Sequence, residues 1–238
     1  MKGIAFMDEQ ETDKISAAKF SLKYLQKGMK LGLGTGATVN HLIKLIAQKS
    51  LHHELNLTMV STSSQTRHLA ESLGLTISEL DSVGQLDLTI DGADEFDLDR
   101  NLIKGGGGAL LQEKIVASSS DSMKVIASMT KKVDLLGQFP LPVEIVAFGW
   151  NTTQKRLKDL FKEMQFDTIE CQIRRQGQSP FVTDESNYII DFYLGRIAAP
   201  KLFEEEINKQ VGVVECGIFS GLCDEVIAGD SRAQVSIF

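Results

Sequence analysis

Short apolar runs alternate with amphipathic stretches through the first 130 residues, and glycine marks many of the joins. This alternation constrains the fold more than any other feature. Strands that alternate with helices form a parallel sheet covered on both faces. The runs "KGMKLGL", "LTMVS", "LDLTI" and "KVIAS" read as strands. Between them, "GTGATVNHLIKLIAQ" reads as a glycine turn opening a helix, with Val39, Leu42, Ile43 and Ile46 toward the core. "SSQTRHLAESLG" reads as a helix closed by Gly74, and "GALLQEKIVAS" as the start of another. An earlier helix is expected over Asp13–Gln26, with Asp13 as its N-cap.

The pattern changes after "GQFPLPVEIVAF". A helix over "TTQKRLKDLFKEM", strands over "DTIECQIR" and "NYIIDFYL", and a helix near "PKLFEEEINKQ" read as a smaller α+β unit. Two late strands, "GVVECGIF" and "DEVIAG", either return to the first sheet or extend the second. The expected fold class is α/β: a Rossmann-like parallel-sheet domain (1–134 plus 209–238) with a second, smaller α+β domain (135–208).

Composition narrows the function. A formal net charge of −7 disfavours broad nucleic-acid binding, which needs clustered lysine and arginine. No apolar run is long enough to span a membrane. The start, "MKGIAFMDEQ", is too soon acidic for a secretory signal, so a cytoplasmic protein is expected. Cys171, Cys216 and Cys223 lack metal-ligand spacing and read as reduced, partly buried thiols. The adjacent pair His52-His53 does not chelate as an i, i+4 helical pair would.

Chemistry concentrates in "DGADEFDLDRNLIKGGGGALLQEK", Asp91–Lys114. Four consecutive glycines cost conformational entropy, so something is expected to approach that backbone closely. The small residues of "DGADE" let Asp91 and Asp94 aim at one point, as turn aspartates or as ligands of a Mg²⁺ ion. Lys104 can neutralise an oxyanion or phosphate, and glycine amides can stabilise developing charge. Glu113 beside them is a candidate general base or nucleophile, against the plainer reading of a solvated residue near a helix N-terminus. Farther back, "GLGTGAT" can bring backbone amides and the hydroxyls of Thr35 and Thr38 to an anion. It lacks the GK[ST] ending of a P-loop. Gly32, Gly34 and Ala37 fit the looser dinucleotide fingerprint, but the next strand ends in Ser61 rather than an acid, which argues against a dinucleotide.

Taken together, "GLGTGAT", "DGADE", "KGGGGALLQEKIVA" and "GQFPLPVEI" resemble the signature segments of type A ribose-5-phosphate isomerases, and the resemblance extends to "GVVECGIF". It implies interconversion of ribose 5-phosphate and ribulose 5-phosphate in the pentose phosphate pathway, with no metal or organic cofactor and as a homodimer or homotetramer. Glu113 matches the family's catalytic base. Asp91, Gly92, Ala93 and Asp94 match one substrate loop, Lys104, Gly105, Gly106 and Gly107 a second, and Thr35, Gly36, Ala37 and Thr38 a third. Lys131 matches a further substrate-binding lysine, and Lys14 is loosely matched to a phosphate contact. Among these, the resemblance and the chemistry make Glu113, Asp91 and Lys104 the catalytic group, with Asp91 handling ring-oxygen and hydroxyl protons. The chain departs from the family at Ala37, where serine is common, at Gln112, where arginine is common, and at Gly108, where alanine is usual. Two other readings use the same residues: a CoA-transferase-like enzyme with Glu113 as nucleophile, and a non-catalytic sugar-phosphate sensor.

Overall fold

The computed structural model describes residues 9–48, 53–166 and 169–238. The start of the chain, His52 and the first two residues of the strand expected from Asp167 lie outside the described residues.

A six-stranded sheet forms the larger unit, in the order β15-β14-β6-β3-β1-β2. Its strands are β1 (Lys30–Leu33), β2 (Thr58–Ser61), β3 (Leu88–Asp91), β6 (Met123–Ser128), β14 (Glu225–Gly229) and β15 (Val235–Ile237). All neighbours run parallel except the edge strand β15, which is antiparallel to β14. The central strands β3 and β6 are buried along their whole length, as a sheet covered on both faces requires.

Period-2 alternation divides each strand between two cores. Leu31 and Leu33 of β1, Met59 of β2 and Leu88 and Ile90 of β3 join one cluster with helices α1 (Glu9–Ser21) and α2 (Ala37–Ile46). Val39, Leu42, Ile43 and Ile46 of α2 are buried there, as their spacing predicts. Helix α3 (Ser64–Ser72) follows β2, capped by Ser63, whose hydroxyl accepts the Thr66 N–H. A single turn, α4 (Leu80–Val83), precedes β3. Residues of opposite phase face helix α5 (Leu110–Ser118): Val116 packs with Val60, and Ala117 packs with Met123 and Val125. Thr89 and Asp91 of β3 share this second phase. The sheet alternation therefore aims Asp91 at the helix that carries Glu113.

The first helix differs from expectation. It begins by Glu9 and ends at Ser21, followed by a 3-10 turn over Leu22–Tyr24. Asp13 is therefore an interior residue and not an N-cap. The Asp13 carbonyl lies against Gly229 of β14, where a Cβ would come within 2.0 Å of it. That tertiary contact has no local signature.

The smaller unit is a four-stranded antiparallel sheet in the order β12-β7-β11-β8. Its strands are β7 (Leu141–Ile145), β8 (Glu170–Ile173), β11 (Tyr188–Tyr193) and β12 (Val213–Cys216). A two-residue hairpin, β9 (Arg175–Gln176) with β10 (Ser179–Pro180), lies between β8 and β11. Helices α6 (Trp150–Glu163) and α7 (Pro200–Asn208) bury Leu157, Phe161, Phe203 and Ile207 against it. Phe161 stacks on Phe203 at 5.5 Å and meets Phe192 edge-on at 4.9 Å. The two late strands divide between the units: β12 joins this sheet, and β14 inserts between β6 and β15. A third sheet pairs β4 (Glu95–Phe96) and β5 (Leu102–Ile103) with β13 (Ile218–Phe219), and β5 leads directly into Lys104.

Cys216 and Cys223 are buried and Cys171 is half-buried, all as free thiols. Burial pushes the Cys216 and Cys223 thiols up to about 12, which keeps them unreactive. Among the described residues, no helix is long and apolar enough to cross a membrane.

Gly32 sits in β1 where a Cβ would come within 2.1 Å of Thr89 Oγ1 and 2.7 Å of Val116 Cγ1. Gly32→Ala is expected to destabilise the fold by about 1–3 kcal/mol through overpacking. Chemical denaturation of the two proteins checks this, and an unchanged midpoint would mean that Thr89 and Val116 yield freely.

Candidate active site

Three elements bring one charged group each to a common point beyond the carboxyl end of β3. Asp91 ends β3, Lys104 follows β5, and Glu113 lies in the first turn of α5. All three side chains are buried, Asp91 completely. Lys104 Nζ lies 3.0 Å from Asp91 Oδ2 and 3.1 Å from Glu113 Oε1, and it donates to the Gly92 carbonyl at 2.6 Å. Asp91 Oδ1 accepts the amides of Thr35 at 3.0 Å and Gly92 at 2.7 Å. Glu113 Oε2 is buried and makes no hydrogen bond among the described residues.

Burial pushes the Glu113 carboxyl up to about 8; the Lys104 charge opposes the rise, and Asp91 and Asp94 add to it. For Lys104, burial favours the neutral form, but the charges of Asp91 and Glu113 outweigh it and the ammonium is held above its ordinary range. The centre thus contains a permanent cation beside a carboxylate able to take and return a proton near neutral pH.

Above these groups opens a cavity of about 270 Å³, lined by Glu113, Lys104 and the three loops around them. The expected substrate residues Thr35, Gly36, Ala37 and Thr38, then Gly92, Ala93 and Asp94, then Gly105, Gly106 and Gly107, and Lys131, all line it. Lys14 does too, bringing a second lysine to the rim. Asp91 is the exception. It lies beneath the floor and meets the cavity through Lys104. A larger cavity of about 440 Å³ lies near Ser64, Gln112 and Asp184. Arg67 there is paired with Glu79 at 2.9 Å, and no buried carboxylate–lysine pair accompanies it. The buried lysine and glutamate open into the smaller one.

Protein groups, rather than a ligand alone, account for much of the glycine content. A Cβ at Gly34 would come within 1.9 Å of Asp91 Oδ1, and one at Gly106 within 2.7 Å of Asp94 Oδ1. Gly106 instead donates its amide to Asp94 Oδ2 at 2.7 Å. The Thr35 hydroxyl also differs from expectation. It is buried and bonded to Thr62 and Ser63 at 2.8 Å and to Thr66 at 3.2 Å, so it braces the loop. Those three partners were not anticipated, and the hydroxyl-rich run "STSSQT" after β2 is the signal that points to them. Gln112 turns away from the cavity and donates to Glu185 of the smaller unit.

A sheet-edge cavity with lysines at its rim and a proton-exchanging carboxylate at its floor suits an enzyme that moves protons on a small anionic substrate. Comparison with known proteins gives that class its family. Residues 58–233 match the family model of ribose 5-phosphate isomerase A (phosphoriboisomerase A). A ribose-5-phosphate isomerase A of Cereibacter sphaeroides (strain ATCC 17025) is 46% identical over 227 residues, 95% of this chain and 91% of its own. That of Jannaschia sp. is 44% identical over 224 residues, 94% of this chain and 86% of its own. Ribose 5-phosphate isomerase from Plasmodium falciparum superposes with a TM-score of 0.89 at 33% identity, over 97% of this chain and 98% of that one. A D-ribose-5-phosphate isomerase solved with phospho-erythronic acid gives 0.87 at 36% identity, over 98% and 99%. The chain belongs to the ribose 5-phosphate isomerase A family, whose reaction interconverts ribose 5-phosphate and ribulose 5-phosphate.

A base must be ionised to accept a proton. With Glu113 raised to about 8, kcat/KM is expected to rise with pH and level off above that value. Because the Lys104 charge lowers this value, Lys104→Met is expected to move the limb to higher pH. A pH–rate profile checks both, and a flat wild-type profile from about pH 6 to pH 9 would mean that burial does not set this group.

Proposed function

We propose that the 270 Å³ cavity binds the open-chain pentose phosphate and that Glu113 carries the proton between C2 and C1. The buried, unbonded Glu113 Oε2 carries this reading: it is an unpartnered acceptor on the carboxylate of the Lys104 pair that lines the cavity. The aldose loses its C2 proton to the carboxylate, giving an enediolate whose charge lies on oxygen. A hydroxyl proton passes from O2 to O1, and return of the carbon-bound proton to C1 gives the ketose. Lys104 and the glycine-loop amides stabilise the enediolate oxygens. The phosphate lies toward Lys14, Lys131 and the N-terminus of α2, where the amides of Gly36, Ala37 and Thr38 are available.

Asp91 takes a different part from the one its sequence position suggests. Its oxygens serve two backbone amides and Lys104, so it fixes the cation and the first loop. Asp94, which lines the cavity, is the carboxylate available to exchange hydroxyl protons during ring opening. The same bonds support a metal-free reaction, because an ammonium already occupies the space between Asp91 and Glu113. A cytoplasmic homodimer or homotetramer is part of the proposal, tested by light scattering of the purified protein.

The proposal is tested by following ribulose 5-phosphate formation in excess EDTA. Wild-type turnover is expected to persist, and a requirement for added Mg²⁺ would return Asp94 to the role of metal ligand. Glu113→Gln is expected to lose roughly 10²–10⁴-fold in kcat with substrate binding largely kept. Near-normal turnover in that variant would remove Glu113 as the base. Phospho-erythronic acid carries a planar carboxylate resembling the enediolate and is expected to compete with substrate in the wild type.

A further inference from the structure

Among the described residues, none of 135–208 lines the cavity, yet one side chain of the smaller unit grips the glycine loop. Arg174 follows β8. Its Nη1 donates to the carbonyls of Gly105 at 2.7 Å and Gly106 at 3.2 Å. The other edge of the guanidinium is held by Asp191 of β11, through Nε to Oδ2 at 3.0 Å and Nη2 to Oδ1 at 2.5 Å. Both side chains are largely buried, at 15% and 11% exposure. The forked pair leaves the guanidinium one orientation.

The consequence lies on the opposite edge of the peptides. In a trans peptide the N–H points opposite to the carbonyl. Drawing the Gly105 carbonyl toward Arg174 sends the Gly106 N–H the other way, where it meets Asp94 Oδ2 at 2.7 Å. Drawing the Gly106 carbonyl toward Arg174 likewise turns out the Gly107 N–H, which has no partner among the described residues. Both glycines line the cavity. Glycine peptides rotate with little steric resistance, so their orientation depends on hydrogen bonds: the Gly105 carbonyl also accepts the Gly108 N–H at 2.9 Å, whereas the Gly106 carbonyl is held by Arg174.

We infer that Arg174, braced by Asp191, is a positioning residue for the isomerisation: it orients the Gly105–Gly107 peptides so that the Gly106 amide holds Asp94 and the Gly107 amide meets the enediolate. The smaller unit thereby acts on the chemistry without touching substrate. This inference rests on the proposal that the glycine-loop amides face the reacting oxygens.

The test compares wild type, Arg174→Ala, Arg174→Lys and Asp191→Asn for turnover of ribose 5-phosphate and affinity for phospho-erythronic acid. Arg174→Ala is expected to lower kcat on the order of 10- to 100-fold with KM within about threefold, short of the loss of a donor itself. Affinity for phospho-erythronic acid is expected to fall in parallel with kcat/KM, since both report the amides. Arg174→Lys, which retains a cation but lacks the fork, and Asp191→Asn are expected to lie between. If Arg174→Ala does not fold, these two carry the test. The inference is overturned if kcat/KM and inhibitor affinity both stay within about twofold of wild type, or if the loss lies wholly in KM with inhibitor affinity kept. A wild-type chain that neither turns over nor binds the inhibitor overturns both this inference and the reading beneath it.

Discussion

Lys104 is a charged ammonium at 2% exposure, and the arrangement of the larger unit follows from the need to satisfy it. An unpaired buried charge costs several kcal/mol, so a lysine there requires carboxylates within reach. The strand end of β3 supplies Asp91 and the first turn of α5 supplies Glu113, 3.0 and 3.1 Å away. The two carboxylates are not equivalent. Asp91 accepts two backbone amides on Oδ1 and does not line the cavity, whereas Glu113 lines it and keeps one oxygen without a hydrogen bond among the described residues. Two carboxylates around one lysine thus divide into one that secures the cation and one that retains capacity for a proton.

The same groups tie down the loops, which contain little regular structure. Asp91 holds the first loop through the Thr35 amide, and the Thr35 hydroxyl ties that loop to the start of α3 through Thr62, Ser63 and Thr66. Asp94 holds the glycine loop through the Gly106 amide. Pre-set amides need no reorganisation when charge develops on a substrate, which is where electrostatic stabilisation gains its advantage over water.

The smaller unit binds this assembly from outside. The Asp184 carboxylate accepts the amide and the hydroxyl of Ser64 at the start of α3, both at 2.8 Å, and Glu185 takes the side chain of Gln112 beside Glu113. Phe181 packs where a Cβ on Gly108 would lie, 2.5 Å from its ring. On the far side of α5, Lys114 meets Glu204 at 2.6 Å, Glu215 at 2.8 Å and the carbonyls of Cys216 and Ile218. The helix that carries Glu113 is therefore anchored from two directions by residues distant in sequence.

Much of this was legible in the chain. The spacing of Val39, Leu42, Ile43 and Ile46 predicts the buried face of α2, and the strand–helix alternation predicts a parallel sheet with the loops of Asp91 and Thr35 at one edge. Glu113, Lys104 and Asp94 stand out because their neighbours are glycines and small residues, which marks a local backbone requirement. Other features depend on partners far along the chain and leave no local trace. The early start of α1, set against Gly229, is one; the separation of β12 from β14 into different sheets is another. The sequence by itself determined which residue types meet at the site, since periodicity and turn chemistry are local properties. The tertiary structure decided how each one is placed: that Asp91 lies below the floor, that the Thr35 hydroxyl is spent on bracing its own loop, and that burial raises Glu113. Exposure and hydrogen-bond partnership are set by residues dozens of positions away, and no short window of sequence contains them.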